Sequence, residues 1–179
     1  MRSLLTILMV TALAMQAASA DVYQAPAEFV RETFGGEQPM AKAVWVTGDL
    51  KARVKKVLGH PYRDLRVRYW VLDGRSAWIL EEVGKIEPIT VGVVVEDGRI
   101  EAMKVLAYRE SRGFEIRFPF FMDQYRGAQV DANSKLDRQI DGISGATLSV
   151  RAATRLARLA LVLDREIEQT GVATQSKAP

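Results

Sequence analysis

The hydrophobic positions change period along the chain, and each change marks an element. Phe29, Val30 and Phe34 recur at helical spacing between Ala25 and Phe34 and stop at Gly35-Gly36, which predicts a short helix. Ala41–Val46 is a short apolar run containing Trp45 and predicts a strand. Leu50, Val54, Val57 and Leu58 then share one face of a second helix, capped by Thr47 or Asp49 and closed by Gly59. From Leu65 the period falls to two: Leu65, Val67, Tyr69 and Val71 alternate with Arg66 and Arg68 up to the turn pair Asp73-Gly74. Ala77–Val83 returns, with Trp78 and Leu80 of one parity. Ile89–Val95 is almost continuously apolar, the pattern of a central strand covered on both faces. Asp97-Gly98 turns the chain again into Ile100–Tyr108, where Met103, Val105 and Ala107 alternate against Lys104. Two hairpins in succession predict an antiparallel meander.

Glu110–Asn133 mixes Gly, Pro and aromatic residues and reads as a loop with a short helical piece around Phe120–Tyr125. The last long element runs from about Leu148 to Glu168. Leu148, Ala152, Leu156, Leu159, Leu163 and Ile167 form its apolar stripe, and Arg151, Arg155, Arg158 and Arg165 its wet face. Thr170–Pro179 has no pattern and is expected to be a disordered tail. Strands followed by a packing helix give an α+β domain over residues 21–169, an antiparallel sheet covered by the long C-terminal helix and shorter ones.

The first twenty residues stand apart. Arg2 precedes a largely apolar run from Leu4 to Met15, and Ala18-Ser19-Ala20 is a small-residue cleavage site. This is the layout of a secretory signal peptide cut after Ala20, leaving Asp21 as the new N-terminus; the alternative is an uncleaved anchor. Composition narrows the chemistry. The absence of Cys excludes disulfides, thiolate metal sites, Cys-ligated iron–sulfur clusters, c-type haem attachment, cysteine nucleophiles and a lipoprotein anchor. One histidine, His60, argues against a multi-histidine metal centre or a Ser-His-Asp hydrolase, and no metal site is expected; His60 itself reads as a surface residue after the helix-ending Gly59. A net charge of +3 over 179 residues is no nucleic-acid footprint.

The stretch Asp141-Gly142-Ile143-Ser144-Gly145-Ala146-Thr147 leads directly into the long helix. Gly142 and Gly145 permit close backbone approach, Ser144 or Thr147 can cap the first turn, and the helix N-terminus favours an anion, above all a phosphate. An ordinary N-cap without ligand fits the tetrapeptide Ser-Gly-Ala-Thr equally well. The longer string resembles the flavinylation motif of the FMN-binding domain family, which includes flavin-carrying subunits of the sodium-pumping NADH:quinone oxidoreductase and of the Rnf electron-transport complex. Two upstream segments are similar to that family as well. Glu110-Ser111-Arg112-Gly113-Phe114 resembles its Glu-Thr-Pro-Gly-Leu, with Arg112 where the family has Pro, and Phe121-Met122-Asp123-Gln124-Tyr125-Arg126-Gly127 resembles its Phe-x-Asp-Gln-Phe-x-Gly.

The resemblance implies FMN attached covalently, through its phosphate, to Thr147 by a flavin transferase that uses FAD as donor. It makes Gly145 and Ala146 the small residues beside the acceptor, Ser144 the upstream hydroxyl and Asp141 the motif acid. Glu110 either bonds to the flavin ring or orders its own loop, and Gly113 belongs to the same segment. Phe118, Phe120, Phe121 and Tyr125 are candidates for a wall against the ring, whereas Trp45, Trp70 and Trp78 read as core. The function implied is that of an exported, periplasmic electron carrier with a redox partner protein, which a membrane complex could supply, rather than a stand-alone enzyme with catalytic residues of its own. Two alternatives remain open: a non-redox exported protein-binding domain, and a flavin reductase or sensor subunit of a larger membrane complex.

Overall fold

The turn pairs sit where the backbone needs them. Asp73 and Gly74 have φ of 49° and 81°, and Asp97 and Gly98 have 51° and 67°, left-handed pairs whose twist matches that of two antiparallel strands. They close β3 (Arg66–Leu72) on β4 (Arg75–Val83) and β5 (Pro88–Glu96) on β6 (Arg99–Tyr108). With β2 (Lys42–Trp45) and the two-residue β1 (Asp21–Val22) they form one antiparallel sheet in the order β1-β6-β5-β4-β3-β2. The chain is therefore a meander from β2 to β6, with β1 added on the far edge. The central position read for Ile89–Val95 is observed: every residue of that run is buried. The structure, a computed structural model, describes residues 21–175, with side chains to residue 171; the expected signal peptide at residues 1–20 lies outside the described residues, as do residues 176–179.

Two layers cover the sheet. α4 (Thr147–Gln175) and α2 (Gly48–Leu58) pack on one face, where Leu156, Leu159, Leu163, Val54 and Val57 meet Trp78, Leu80, Val91, Val93 and Val105. Gly59 ends α2 in the left-handed conformation, φ 84°, with its N–H bonded to Lys55 O. α1 (Pro26–Thr33) lies on the other face and seats Phe29 directly on Gly92, where a Cβ would stand 2.6–2.7 Å from the ring. Any side chain at Gly92 would lift α1 off the sheet. Among the described residues no helix is long and apolar enough to cross a membrane.

Several details depart from the sequence pattern. α4 continues to Gln175, so residues 170–175 are helical rather than tail. Extending a formed helix fixes one residue per added bond, so polar sequence alone does not stop it; Thr170 Oγ1 donates to Glu166 O. The arginine face of α4 is not simply solvated. Arg155 Nη1 donates to Glu82 at 3.0 Å, Arg158 Nε to Ser134 O at 2.6 Å and Arg165 Nη2 to Val130 O at 2.8 Å, while Leu148 on the apolar stripe is 42% exposed. Trp45 is exposed because β2 is an edge strand, whereas Trp78 is fully buried and stacks on Tyr69. His60 is more than a surface residue: Nε2 lies 3.0 Å from buried Glu82, and Nδ1 lies 3.0 Å from Pro61 O. The bonds to Pro61 O and to Glu82 raise its pKa against the opposing effect of burial.

Candidate functional site

The turn before α4 is built by Gly145 at φ 82° and by the Ala146 N–H donating to Ile143 O at 3.0 Å. The first helical bond runs from Val150 N–H to Ala146 O at 2.9 Å, which puts Ala146 at the N-cap. Alanine offers no acceptor there. The N–H groups of Thr147, Leu148 and Ser149 consequently make no hydrogen bond among the described residues. Three free donors stand at the positive end of a 29-residue helix. Ala146 is buried beneath them, while Thr147, Ser144, Gly145 and Asp141 are exposed.

Both upstream segments converge on this turn. Tyr108, at the end of β6, donates from its hydroxyl to Arg112 O at 2.5 Å. That uses its only proton, so Ser149 Oγ donates to Tyr108 at 2.8 Å. Gly113, φ 86°, lies against the same group: a Cβ there would stand 2.8 Å from Ser149 Oγ, 2.9 Å from Tyr108 OH and 3.1 Å from Ala146 Cβ. The glycine lets the 110–113 loop touch the first turn of α4. From the second segment, Gln124 Oε1 accepts the Asp141 N–H at 2.7 Å and fixes the start of the motif. Tyr125 donates to Thr154 Oγ1 at 2.9 Å, since the threonine proton goes to Val150 O.

Glu110 faces the β4–β5 turn. Its Oε1 accepts the amides of Ile86 at 2.6 Å and Glu87 at 3.0 Å, and also that of Lys85. Burial pushes its pKa up, but the amide bonds outweigh that and hold it below the ordinary carboxylate value. Of the four aromatic residues expected to form a flavin wall, Phe121 and Tyr125 are fully buried in the main core, packed edge to face on each other, and cannot form a wall. Phe118 and Phe120 stack on one another at the surface. A cavity of about 990 Å³ opens on the α1 side of the sheet beside Ile79, Leu106 and Arg109, and no motif residue lines it.

Residues 84–162 match the family model described as FMN-binding domain. Over that stretch the chain is similar to an FMN-binding domain. The matched stretch takes in Glu110, Gly113 and the whole motif from Asp141 to Thr147, which supports FMN as the cofactor. No curated protein and no solved structure is matched significantly. The uncapped amides and the open glycine turn of this domain fit a phosphate-bearing cofactor. Of the residues that join the segments, Gln124 stands in the second family-like segment, whereas the part that Tyr108 and Ser149 play in holding the turn was not singled out by the sequence. Tyr108 looked like any strand-end aromatic, and the signal that could have flagged Ser149 is its place just beyond the motif's last hydroxyl, inside the first turn of the helix.

Proposed function

We propose that the protein is an exported electron-transfer flavoprotein of the periplasm, with FMN joined through its phosphate to Thr147. The observation that carries the reading is the exposed Thr147 hydroxyl beside three amides that have no partner among the described residues. A phosphodiester at Thr147 retains one negative charge, and these amides would hold it in the field of α4. In the loading step Thr147 Oγ1 bonds to the flavin-side phosphorus of FAD, the pyrophosphate P–O bond breaks, AMP leaves and the hydroxyl proton passes to the transferase. Asp141 lies in the same exposed turn, where it could present the acceptor to that enzyme. Bound FMN supplies the redox chemistry, exchanging one or two electrons. The chain's own residues hold its phosphate, position it and expose it to a partner protein, which a membrane complex could provide. The leader expected at residues 1–20 supports export, and a covalent link retains the cofactor where free FMN is scarce.

Coexpression with a flavin transferase tests this. Wild-type protein is expected to gain the mass of FMN less water and to fluoresce in a denaturing gel. Thr147→Val, which keeps the branched shape, is expected to lose both signals while its circular dichroism spectrum is retained, and Thr147→Ser to keep part of them. Denaturation-resistant flavin on folded Thr147→Val protein would place the acceptor elsewhere. N-terminal sequencing of the periplasmic fraction is expected to begin at Asp21; Met1 on membrane-bound protein would overturn the export reading.

A further inference from the structure

Arg117 has an unusual setting. Its guanidinium lies over three rings, 4.6 Å from the centroid of Tyr23, 5.0 Å from Phe118 and 5.3 Å from Phe114. Among the described residues no carboxylate pairs with it and none of its N–H groups donates a hydrogen bond. A guanidinium engaged through its face keeps its in-plane donors free, and those donors suit a planar, bidentate acceptor. The cluster is also an apolar surface: Phe114 is 42% and Phe120 68% exposed. It begins next to the site. Phe114 follows Gly113, which touches Ala146 and Ser149, and consecutive Cα atoms are about 3.8 Å apart. The short helical turn Phe114–Arg117 packs against α4 itself.

We infer that this cluster receives the flavin ring, with Phe114 and Phe118 as its apolar support and Arg117 as the cation that raises its reduction potential. The inference rests on the attachment proposed at Thr147. A ribityl chain separates the phosphate from the ring, so the ring would come to rest beyond the turn, and exposed aromatic rings start at Phe114, one residue after Gly113. Two-electron reduction with uptake of one proton leaves a negative charge on the pyrimidine edge of the flavin, shared by a ring nitrogen and a carbonyl oxygen. That edge is a planar acceptor of the kind the free donors of Arg117 fit. The cation would stabilise the reduced ring more than the neutral oxidised one, and in a site screened by aromatic rings the effect would exceed its value in water.

The test uses the flavin-loaded protein, reduced by dithionite against a reference dye. Arg117→Gln is expected to carry wild-type amounts of covalent FMN, measured by in-gel fluorescence, and to lose about tenfold in the reduction equilibrium, which is about 30 mV for a two-electron couple. Arg117→Lys is expected to recover most of that shift. Phe114→Ala, a second and independent variant, is expected to weaken the visible circular dichroism of the bound flavin toward that of the unfolded protein, since an apolar support that fixes the ring is removed. Fully loaded Arg117→Gln with the wild-type potential, or loaded Phe114→Ala with unchanged visible circular dichroism of the flavin, overturns this inference alone. A wild-type protein that takes up no flavin from an active transferase overturns the function proposed above and this inference with it.

Discussion

Adding one methyl group at Gly113 should dismantle the joint between the 110–113 loop and α4. Two costs can be worked from the geometry. Gly113 has φ of +86°, and an L-residue there costs about 1–2 kcal/mol. The new Cβ would stand 2.8 Å from Ser149 Oγ and 2.9 Å from Tyr108 OH, so the hydrogen bond between them cannot persist, at about 1 kcal/mol per bond lost and more if a buried hydroxyl is left unpaired. The sum is roughly 2–4 kcal/mol, which for a domain of this size lowers Tm by roughly 5–15 °C. The two costs can be separated. Ser149→Ala removes the nearest obstructing atom, so Gly113→Ala measured in that background should keep the backbone cost and lose much of the steric one, about 1 kcal/mol less in all. Thermal unfolding of the apoprotein by circular dichroism gives all four corners of the cycle. A Gly113→Ala melting point within the error of wild type, or a penalty unchanged by Ser149→Ala, would show that the loop does not rest on α4 as described. Covalent loading of the single variant should also fall, because the turn that presents Thr147 loses its support.

Further outcomes follow from other groups. Burial pushes buried Asp164 up to about 6, with Glu168 acting in the same direction and the bond from Ser76 Oγ at 2.5 Å opposing both. A free carboxyl titrates near ~3.9, so the protonated form favours the fold, and that stability, full below the unfolded value, is lost as pH rises through the folded one. Asp164→Asn, which mimics the neutral acid, should therefore stabilise at pH 8 by about 1–3 kcal/mol and much less at pH 4.5; equal effects in urea titrations at the two pH values would refute this. Glu110 has the opposite sign: its pKa is lowered, so it stabilises above the ordinary carboxylate range and the contribution fades as pH falls through the folded value. Glu110→Gln should cost about 1 kcal/mol at pH 7 and speed amide exchange at Lys85–Glu87, and unchanged exchange there would count against the role given to it. Asp141→Ala should slow flavin incorporation in a protein with the wild-type melting point; loading at the wild-type rate would reduce the acid to a turn residue.

The meander was legible because its signals are local. Two Asp-Gly pairs fix the hairpins, and alternation fixes which side of each strand is covered. β1 was not legible: two residues carry no period, and Asp21 and Val22 become a strand only because Tyr108 and Ala107 offer an open edge. Glu82 and Asp164 sit at covered positions of a strand and a helix, yet their charge argued for exposure. What admits them is compensation from distant residues, His60 and Arg155 for Glu82 and Ser76 for Asp164. The same reach of long side chains turns much of the supposed wet face of α4 into a set of ties to the 130–134 loop. At the site, the spacing of Asp141 to Thr147 could be read directly from the chain. The Tyr108–Ser149–Gly113 joint could not, because it exists only where three separate segments meet. The aromatic run Phe118–Tyr125 shows the limit most clearly: short turns of differing period send Phe121 and Tyr125 inward and leave Phe120 outside, and composition alone does not distinguish them.

The pairing of Asp21 with Tyr108 also sets how the molecule can be handled. Any chain joined ahead of Asp21 leaves the fold at the corner where Tyr108 binds Arg112 and Ser149. α4 travels the other way, passing Ser76 at the start of β4 when it reaches Asp164. Asp21 and Asp164 thus lie toward opposite ends of the sheet, Asp21 at the end where α4 begins. A surface linker placed toward the far end of α4 would hold the protein with the Thr147 corner facing solution. The same linker joined at Asp21 would press that corner toward the support, so an electrode or a sensor chip would report two different accessibilities from one fold.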